Sequence, residues 1–570
     1  MRKPKIMIIG LDAATWDLVG PWAAKGYLPN LSKLVDEGVS GKLQSAIPPL
    51  TPPAWTSFMT GQNPGKHGIF HFLEKQPGAY AMRYSNAGSR RAPTLWRMLS
   101  DAGHAVGVIN VPFTYPPEPV NGFQISGMDT PSEKSAFIHP PALREELKRE
   151  FGNMNLETRF LGSMNNDERR NKALAGLESC DEQWLRAALY LMEKHPVDVM
   201  MCTFMSIDTV QHYFWHYMDE KHFQHDPSGA HKYRDAIRNV YERLDRAVGK
   251  FLEKLPGDSA LCVVSDHGGG PVPDRLVYLN RYLAQLGLLK YRTHTRSGFA
   301  RARQKLIRKV FEIIRGSLTS DQKKWLADKL PLVREKFEGA YTSFSNIDWS
   351  ATKAFCSEVL AYPPSISINL EGVYPEGIVK PAEYEELRAF IKQKLSELRD
   401  PRDGSSIIPR VYRREELFKG PFASEAPDLV LDWWSEKAFT TSLSFPEEGD
   451  QPVLKIRRRE PMGQPEWSAT HRLEGIVIMR GPHIRKSALI QGARLVDMAP
   501  TLLYLLGDEI PAGLDGRILT DFFEAEFLQS HPVQAEESSA AAPAEKEGTP
   551  YNTKEAAQVE ERLKALGYID

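Results

Sequence analysis

The sequence predicts an α/β protein built on a mostly parallel sheet, and three observations predict it. First, Ile6–Leu11, Ala105–Val111, Val197–Phe204 and Ser259–Val264 are short, largely apolar and rich in β-branched residues. Near-continuous apolar runs of this length suit strands buried on both faces of a parallel sheet. Second, helical stretches separate them: Leu28–Gly38, Arg90–Gly103, Glu182–Glu193 and the long amphipathic Tyr233–Leu255. Strands alternating with helices read as βαβ units. Third, acids and imidazoles stand where strands should end: Asp12, Asp208 with His212, and Asp266 with His267. Open α/β sheets hold their ligands at the carboxyl ends of strands.

The central stretch is Ser265-Asp266-His267-Gly268-Gly269. An adjacent carboxylate and imidazole suit a borderline divalent ion such as zinc. The glycines let the backbone turn sharply after it. Taken alone, a capped turn with a surface histidine explains the motif equally well. Asp12 alone reads as a loop or cap residue, and no GxGxxG follows its strand to suggest a dinucleotide site. Asp208 and His212 are spaced i, i+4, so on a helix they project to the same side. Tyr213, Phe214 and Trp215 follow, either as a core patch or as a pocket wall.

In Ile47–Phe70, Pro48, Pro49, Pro52 and Pro53 predict an extended, rigid approach to a helix. Thr51 then sits as its N-cap, with Pro52 at the first helical position. A hydroxyl there faces unpaired N–H groups and the positive end of the helix dipole, which favour an incoming phosphate. His471 lies in a polar loop before the strand Ile476–Met479. Leu276–Leu289, Pro381–Leu398 and Leu495–Leu506 read as helices, and Ser365–Leu370 and Asp428–Leu431 as strands.

The 570 residues are 42% hydrophobic and 25% charged, with a net charge of −1, an ordinary globular composition. No global basic field points to nucleic acid, so none is expected as a partner. Cys180, Cys202, Cys262 and Cys356 are far apart and form no CxxC pair. They read as buried thiols of a reducing compartment. With no signal-peptide pattern and no transmembrane-length apolar run, the expected location is cytoplasmic. The expected organisation is a catalytic core over 1–289 and 341–525. A basic helical insert at 290–340 interrupts it as a cap, and a flexible linker at 526–553 and a C-terminal helix at 554–570 follow it. In the insert, Arg301, Arg303, Arg308 and Lys309 interleave with Leu306, Ile307, Val310 and Phe311. Such a face is most often simply solvated. Its functional readings are an anionic-substrate surface or peripheral membrane contact through 290–337.

Together, the strand-end acids and imidazoles can serve two divalent ions, with Thr51 as an oxygen ligand between or beside them. Two metals about 3.5–4 Å apart clamp the attacking and leaving oxygens of an in-line phosphoryl displacement. At this point the order of motifs resembles the alkaline phosphatase superfamily, and within it the type I phosphodiesterase/nucleotide pyrophosphatase family. The residues that carry the resemblance are Gly10-Leu11-Asp12, Leu50-Thr51-Pro52-Pro53, Thr60-Gly61, His67-Gly68-Ile69, Asp208 with His212, Ser265-Asp266-His267-Gly268 and His471-Arg472-x-Glu474-Gly475. Asp497–Leu503 is similar to that superfamily's C-terminal segment.

The resemblance implies an alkaline-phosphatase-like three-layer α/β/α sandwich with an inserted cap. It implies a metal-dependent hydrolase of phosphate esters that acts through a phosphothreonine at Thr51. One ion would be held by Asp208, His212 and His471, the other by Asp12, Asp266, His267 and Thr51. Zn2+ is the expected ion and Mn2+ the alternative. The expected substrate is a phosphate-ester small molecule, a nucleotide, or a phosphorylated glycan or lipid. Where the phosphodiesterase branch carries an asparagine after His-Gly-Ile, this chain has Phe70, His71 and Phe72. A phosphomonoesterase or phosphate mutase on the same site therefore stays open, as does a non-catalytic binder of an anionic glycan or lipid. Thr51 lacks the Cys-x-Pro-x-Arg context of a formylglycine sulfatase.

Overall fold

The computed structural model describes residues 4–76, 78–154, 156, 166–292, 347–357, 364–442, 452–458, 467–533 and 551–566. Nearly all of the basic stretch 290–337 and most of the expected linker lie outside these residues. Nine strands form the main sheet: β1 (Ile6–Leu11), β2 (Val39–Gln44), β3 (Val106–Val111), β4 (Gly122–Ser126), β5 (Ile138–His139), β6 (Val199–Phe204), β7 (Ala260–Val264), β8 (Glu474–Arg480) and β9 (Ala488–Arg494). Their order is β9-β2-β8-β7-β1-β6-β3-β4-β5. β7, β1, β6, β3 and β4 run parallel, whereas β8 lies antiparallel between β2 and β7.

The apolar runs become strands because each strand feeds two cores. In β1, Met7, Ile9 and Leu11 enter one hydrophobic cluster and Ile6 and Ile8 the other. In β7, Leu261 and Val263 face the first, and Cys262 and Val264 the second. The first face is covered by helices Asp167–Lys194, Ser206–Met218 and Ala236–Lys254, through residues such as Trp184, Phe214 and Leu244. The second is covered by helices Thr51–Thr60, Leu95–Asp101 and Met498–Leu506, through Phe58, Leu99 and Leu502. This is the expected three-layer α/β/α sandwich. Each fully buried Ile, Leu, Met or Phe side chain contributes about 1.5–3 kcal/mol.

A smaller lobe has its own core. Ala354–Phe355, Ser365–Ile368, Leu429–Leu431 and Val411–Arg413 form a four-stranded antiparallel sheet. Helix Tyr384–Ser396 buries Ile391 and Leu395 in the same apolar cluster. That cluster also contains Leu50, the neighbour of Thr51. Arg275–Val277 is a strand and the helix after it is limited to Leu279–Gln285, where the sequence suggested one helix from Leu276 to Leu289. Pairing of Arg275–Val277 with Leu454–Ile456 and Thr440–Thr441 overrides helical propensity there. Beyond 525, Ala525–Ser530 and Thr553–Leu566 are helical. All four cysteines are free and buried. Among the described residues no helix is long and apolar enough to cross a membrane.

Candidate active site

The strand order sets the site. β7, β1 and β6 are neighbours and parallel, so their carboxyl ends lie side by side on one edge of the sheet. Asp266 and His267 follow β7, Asp12 follows β1, and the helix Ser206–Met218 follows β6 with Asp208 in its first turn and His212 one turn on. β2 ends on the same edge and leads to Thr51. His471 lies in a short strand, Ala469–Arg472, that pairs antiparallel with Gly268–Pro271 and places His471 opposite Gly269. The sequence suggested a polar loop for His471 and a turn for the glycines. Both are strand because a close approach of backbones replaces side-chain packing. A Cβ on Gly268 would lie 2.1 Å from the Glu474 carbonyl oxygen.

Two clusters result. Asp208, His212 and His471 form one and Asp12, Asp266 and His267 the other; within each, the ligand atoms lie within 4.8 Å of one another. His212 Nε2 and His471 Nε2 are 3.1 Å apart. They lie 3.1 and 3.4 Å from Asp208 Oδ1. His267 Nε2 is 3.3 Å from Asp266 Oδ2 and 3.8 Å from Asp12 Oδ1. The clusters adjoin: the rings of His267 and His471 stack at 3.8 Å.

The outer contacts fix which atoms face inward. His212 Nδ1 donates to the Ala469 carbonyl at 2.8 Å, His471 Nδ1 to Pro49 at 2.8 Å and His267 Nδ1 to Gly268 at 3.1 Å. A carbonyl oxygen only accepts, so each Nδ1 carries a proton, and Nε2 is the nitrogen that each ring turns toward the cluster. The carboxylates follow the same rule. Trp55 Nε1 donates to Asp12 Oδ2 at 2.8 Å and the Ala13 amide to Asp266 Oδ1 at 3.3 Å. Among the described residues, Asp12 Oδ1, Asp266 Oδ2 and His267 Nε2 are buried without a hydrogen-bond partner.

The electrostatics agree. Burial, then the charges of Asp266 and Asp208, raises Asp12 well above the ordinary carboxylate range. Burial and the Asp208 charge do the same to Asp266. Burial would also raise Asp208, but His212 and His471 hold it well below that range. Burial, with His471 beside it, pushes His267 well below an ordinary histidine. Converging buried acceptors of this kind repel one another, and a divalent cation relieves that cost. Mixed carboxylate and imidazole donors fit zinc or manganese better than calcium.

Thr51 is the first helical residue, and extended Leu50 (φ −124°, ψ 145°) is the cap, one position from the sequence expectation. Because Leu50 takes the cap, no side-chain cap bond forms. Thr51 Oγ1 stays buried and, among the described residues, unpartnered. The helix start is tied to both clusters, through Pro49 to His471 and through Trp55 to Asp12. Trp55 was missed in the sequence, although its i+4 spacing from Thr51 puts both on one helix face. His67 is structural: it accepts from the Ile69 amide at 3.1 Å, and its other nitrogen lies 3.0 Å from Ser57 Oγ.

A second support was also missed. Asp181, on helix Asp167–Lys194, accepts from Ser206 Oγ at 2.8 Å and from Arg243 at 2.6 and 2.9 Å. Ser206 begins the helix that carries Asp208 and His212. Asp181 is buried and Arg243 half-buried, so removing Asp181 leaves a partly desolvated charge uncompensated. Asp181→Ala is therefore expected to cost about 2–3 kcal/mol of unfolding free energy. Asp181→Asn, which keeps an acceptor for Ser206, should cost less. Urea unfolding of both variants checks this, and a loss below about 1 kcal/mol for the alanine would contradict the pair's role.

No curated protein matches the sequence. Among solved structures, human ectonucleotide pyrophosphatase/phosphodiesterase 5 is similar at 13% identity with a TM-score of 0.46, over 92% of this chain and 99% of that one. The murine protein, as an inactive variant in complex with AMP, is similar at 13% identity with a TM-score of 0.47, over 92% and 100%. The profile of the type I phosphodiesterase/nucleotide pyrophosphatase family matches residues 6–444, a span that holds Thr51 and every ligand candidate but His471. The chain belongs to that family, whose members are hydrolases of phosphate esters.

Proposed function

We propose that this chain hydrolyses phosphodiester or pyrophosphate linkages, those of nucleotides included, through a covalent phosphothreonine at Thr51. The observation that carries the reading is the buried, unpartnered Thr51 hydroxyl, on a helix start tied to two clusters of inward-facing acceptors. Asp208, His212 and His471 would hold one divalent ion, and Asp12, Asp266 and His267, with Thr51, the other. Zn2+ is the first candidate and Mn2+ the second. When bound, such ions supply positive charge that lowers the pKa of a hydroxyl and neutralises developing phosphoryl charge.

The chain's own residues do the rest. Trp55 and the Ala13 amide fix the two carboxylates, and three backbone carbonyls fix the imidazole orientations. Thr51 Oγ1 forms the new bond to phosphorus as the bond to the leaving oxygen breaks. Water then cleaves the phosphothreonine and restores the hydroxyl. The helix terminus helps less than its position suggests. Pro52 and Pro53 have no N–H, and the Ala54 amide already donates to Leu50 O at 2.9 Å. The Thr51 amide and the dipole remain. Four free, buried cysteines suit a reducing compartment and support a cytoplasmic location.

The test is elemental analysis of purified protein combined with hydrolysis of bis(4-nitrophenyl) phosphate and 4-nitrophenyl phosphate. Two transition-metal ions per chain and faster diester cleavage are expected. A protein that neither retains nor rebinds a transition metal would sink the reading. Faster monoester cleavage would favour the phosphomonoesterase alternative.

A further inference from the structure

The acceptors of this site outnumber its donors. The orphaned atoms of Asp12, Asp266 and His267 carry lone pairs that a cation can satisfy, but they offer nothing to the oxygens of a phosphate. The prolines after Thr51 remove two of the donors a helix start would provide. One orphaned donor lies nearby. Trp433 is 8% exposed, and its Nε1 is buried without a partner among the described residues. It belongs to the smaller lobe, two residues beyond the strand Leu429–Leu431. Its ring centroid is 6.2 Å from that of His471. It belongs to the same apolar cluster as Leu50, the neighbour of Thr51, and Leu473 packs against that cluster.

An indole N–H donates and cannot accept, so a cation cannot satisfy it. Buried donors are rarely left unmade in folded proteins. An anionic oxygen would satisfy this one with a charge-assisted bond. Building on the proposed phosphoryl-transfer reading, we infer that the Trp433 indole N–H donates to a non-bridging phosphoryl oxygen of the bound ester. Trp433 is then a specificity-determining residue contributed by the smaller lobe, while the sheet edge supplies the ligands and the nucleophile. The donor recognises the phosphoryl group itself, whatever the leaving group.

Trp433→Phe keeps an aromatic ring and removes the donor. Trp434→Phe is the control: its ring stacks on Tyr412 with centroids 6.1 Å apart and meets Trp433 edge-on. A bond made equally in the bound ester and the transition state raises KM and leaves kcat unchanged. For Trp433→Phe, KM for bis(4-nitrophenyl) phosphate and the inhibition constant of inorganic phosphate are both expected to rise about tenfold. Trp434→Phe should change neither.

The outcomes separate this inference from the reading beneath it. If wild type cleaves the diester, Thr51→Ala does not, and Trp433→Phe matches wild type, the inference fails while the functional reading stands. If wild type cleaves no phosphate ester, both fail. A rise in KM without a rise in the phosphate inhibition constant would assign the donor to the leaving group and overturn the inference as stated. Equal effects of the two tryptophan variants would show a packing role and overturn it too. Should Trp433→Phe not fold, wild type labelled with 15N in its tryptophan indoles gives the answer. Inorganic phosphate is expected to move one indole N–H resonance downfield, and no movement overturns the inference.

Discussion

Thr51→Ala is expected to lower turnover of a phosphate ester by on the order of 10^4-fold or more, the scale seen when a covalent nucleophile is removed, while the protein stays folded. The two halves of this expectation have separate causes. The rate falls because the attacking oxygen is gone. The fold survives because that oxygen makes no hydrogen bond: Leu50, not Thr51, caps the helix, and Thr51 Oγ1 is unpartnered. Removing a buried hydroxyl without a partner leaves nothing newly unsatisfied, and the lost γ-methyl costs about 1 kcal/mol, so the stability loss should stay near that value. Thr51→Ser keeps the oxygen and loses a buried methyl, so it should keep partial activity. Steady-state rates, thermal midpoints and acid-quench mass spectrometry of the Thr51 peptide check all three. Wild-type turnover by the alanine variant would remove Thr51 as nucleophile.

How far the site could be read from the sequence depends on how local its causes are. Strands such as Ile6–Leu11 and Val199–Phe204 were legible because burial on both faces leaves a continuous apolar run. The strand ends followed, and with them Asp12, Asp208 and Asp266, because a parallel sheet delivers every carboxyl end to one edge. His471 was identified as a residue but not as a strand residue. Its pairing partner Gly269 is about two hundred positions away, and such non-local backbone pairing leaves no periodic trace. The same holds for the supports. Trp55 holds Asp12, and Arg243 with Asp181 holds Ser206, across separations that no window of sequence spans. Thr51 came out one position from its expected cap because the extended Leu50 occupies that role. The smaller lobe was legible only as scattered elements. Its short antiparallel strands are joined by long connections, and its tryptophans carry no local sequence signal of a site.

The second large effect concerns the ions. Stripping divalent metal with a chelator is expected to abolish turnover and lower the thermal midpoint by several degrees, and re-addition of Zn2+ or Mn2+ should restore both. An ion present at about 1,000 times its Kd stabilises the folded chain by about 4 kcal/mol. Its loss also leaves Asp12 Oδ1, Asp266 Oδ2 and His267 Nε2 buried and unpartnered. Asp266→Asn tests the cause as well as the effect. The amide can keep the acceptor that meets the Ala13 N–H and removes only the charge that clashes with Asp12 and Asp208. Without metal, the variant should therefore be at least as stable as stripped wild type, because two mutually repelling buried carboxylates have become one. With metal, the order should reverse: a neutral amide is a poorer ligand, so Zn2+ should stabilise the variant less, and elemental analysis should find one ion fewer. Asp208→Asn should show the same loss of an ion at the other cluster. Its stripped form should gain nothing, because His212 and His471 already hold Asp208 well below the usual carboxylate range. Equal zinc-induced shifts in wild type and Asp266→Asn would remove Asp266 from the ligand set.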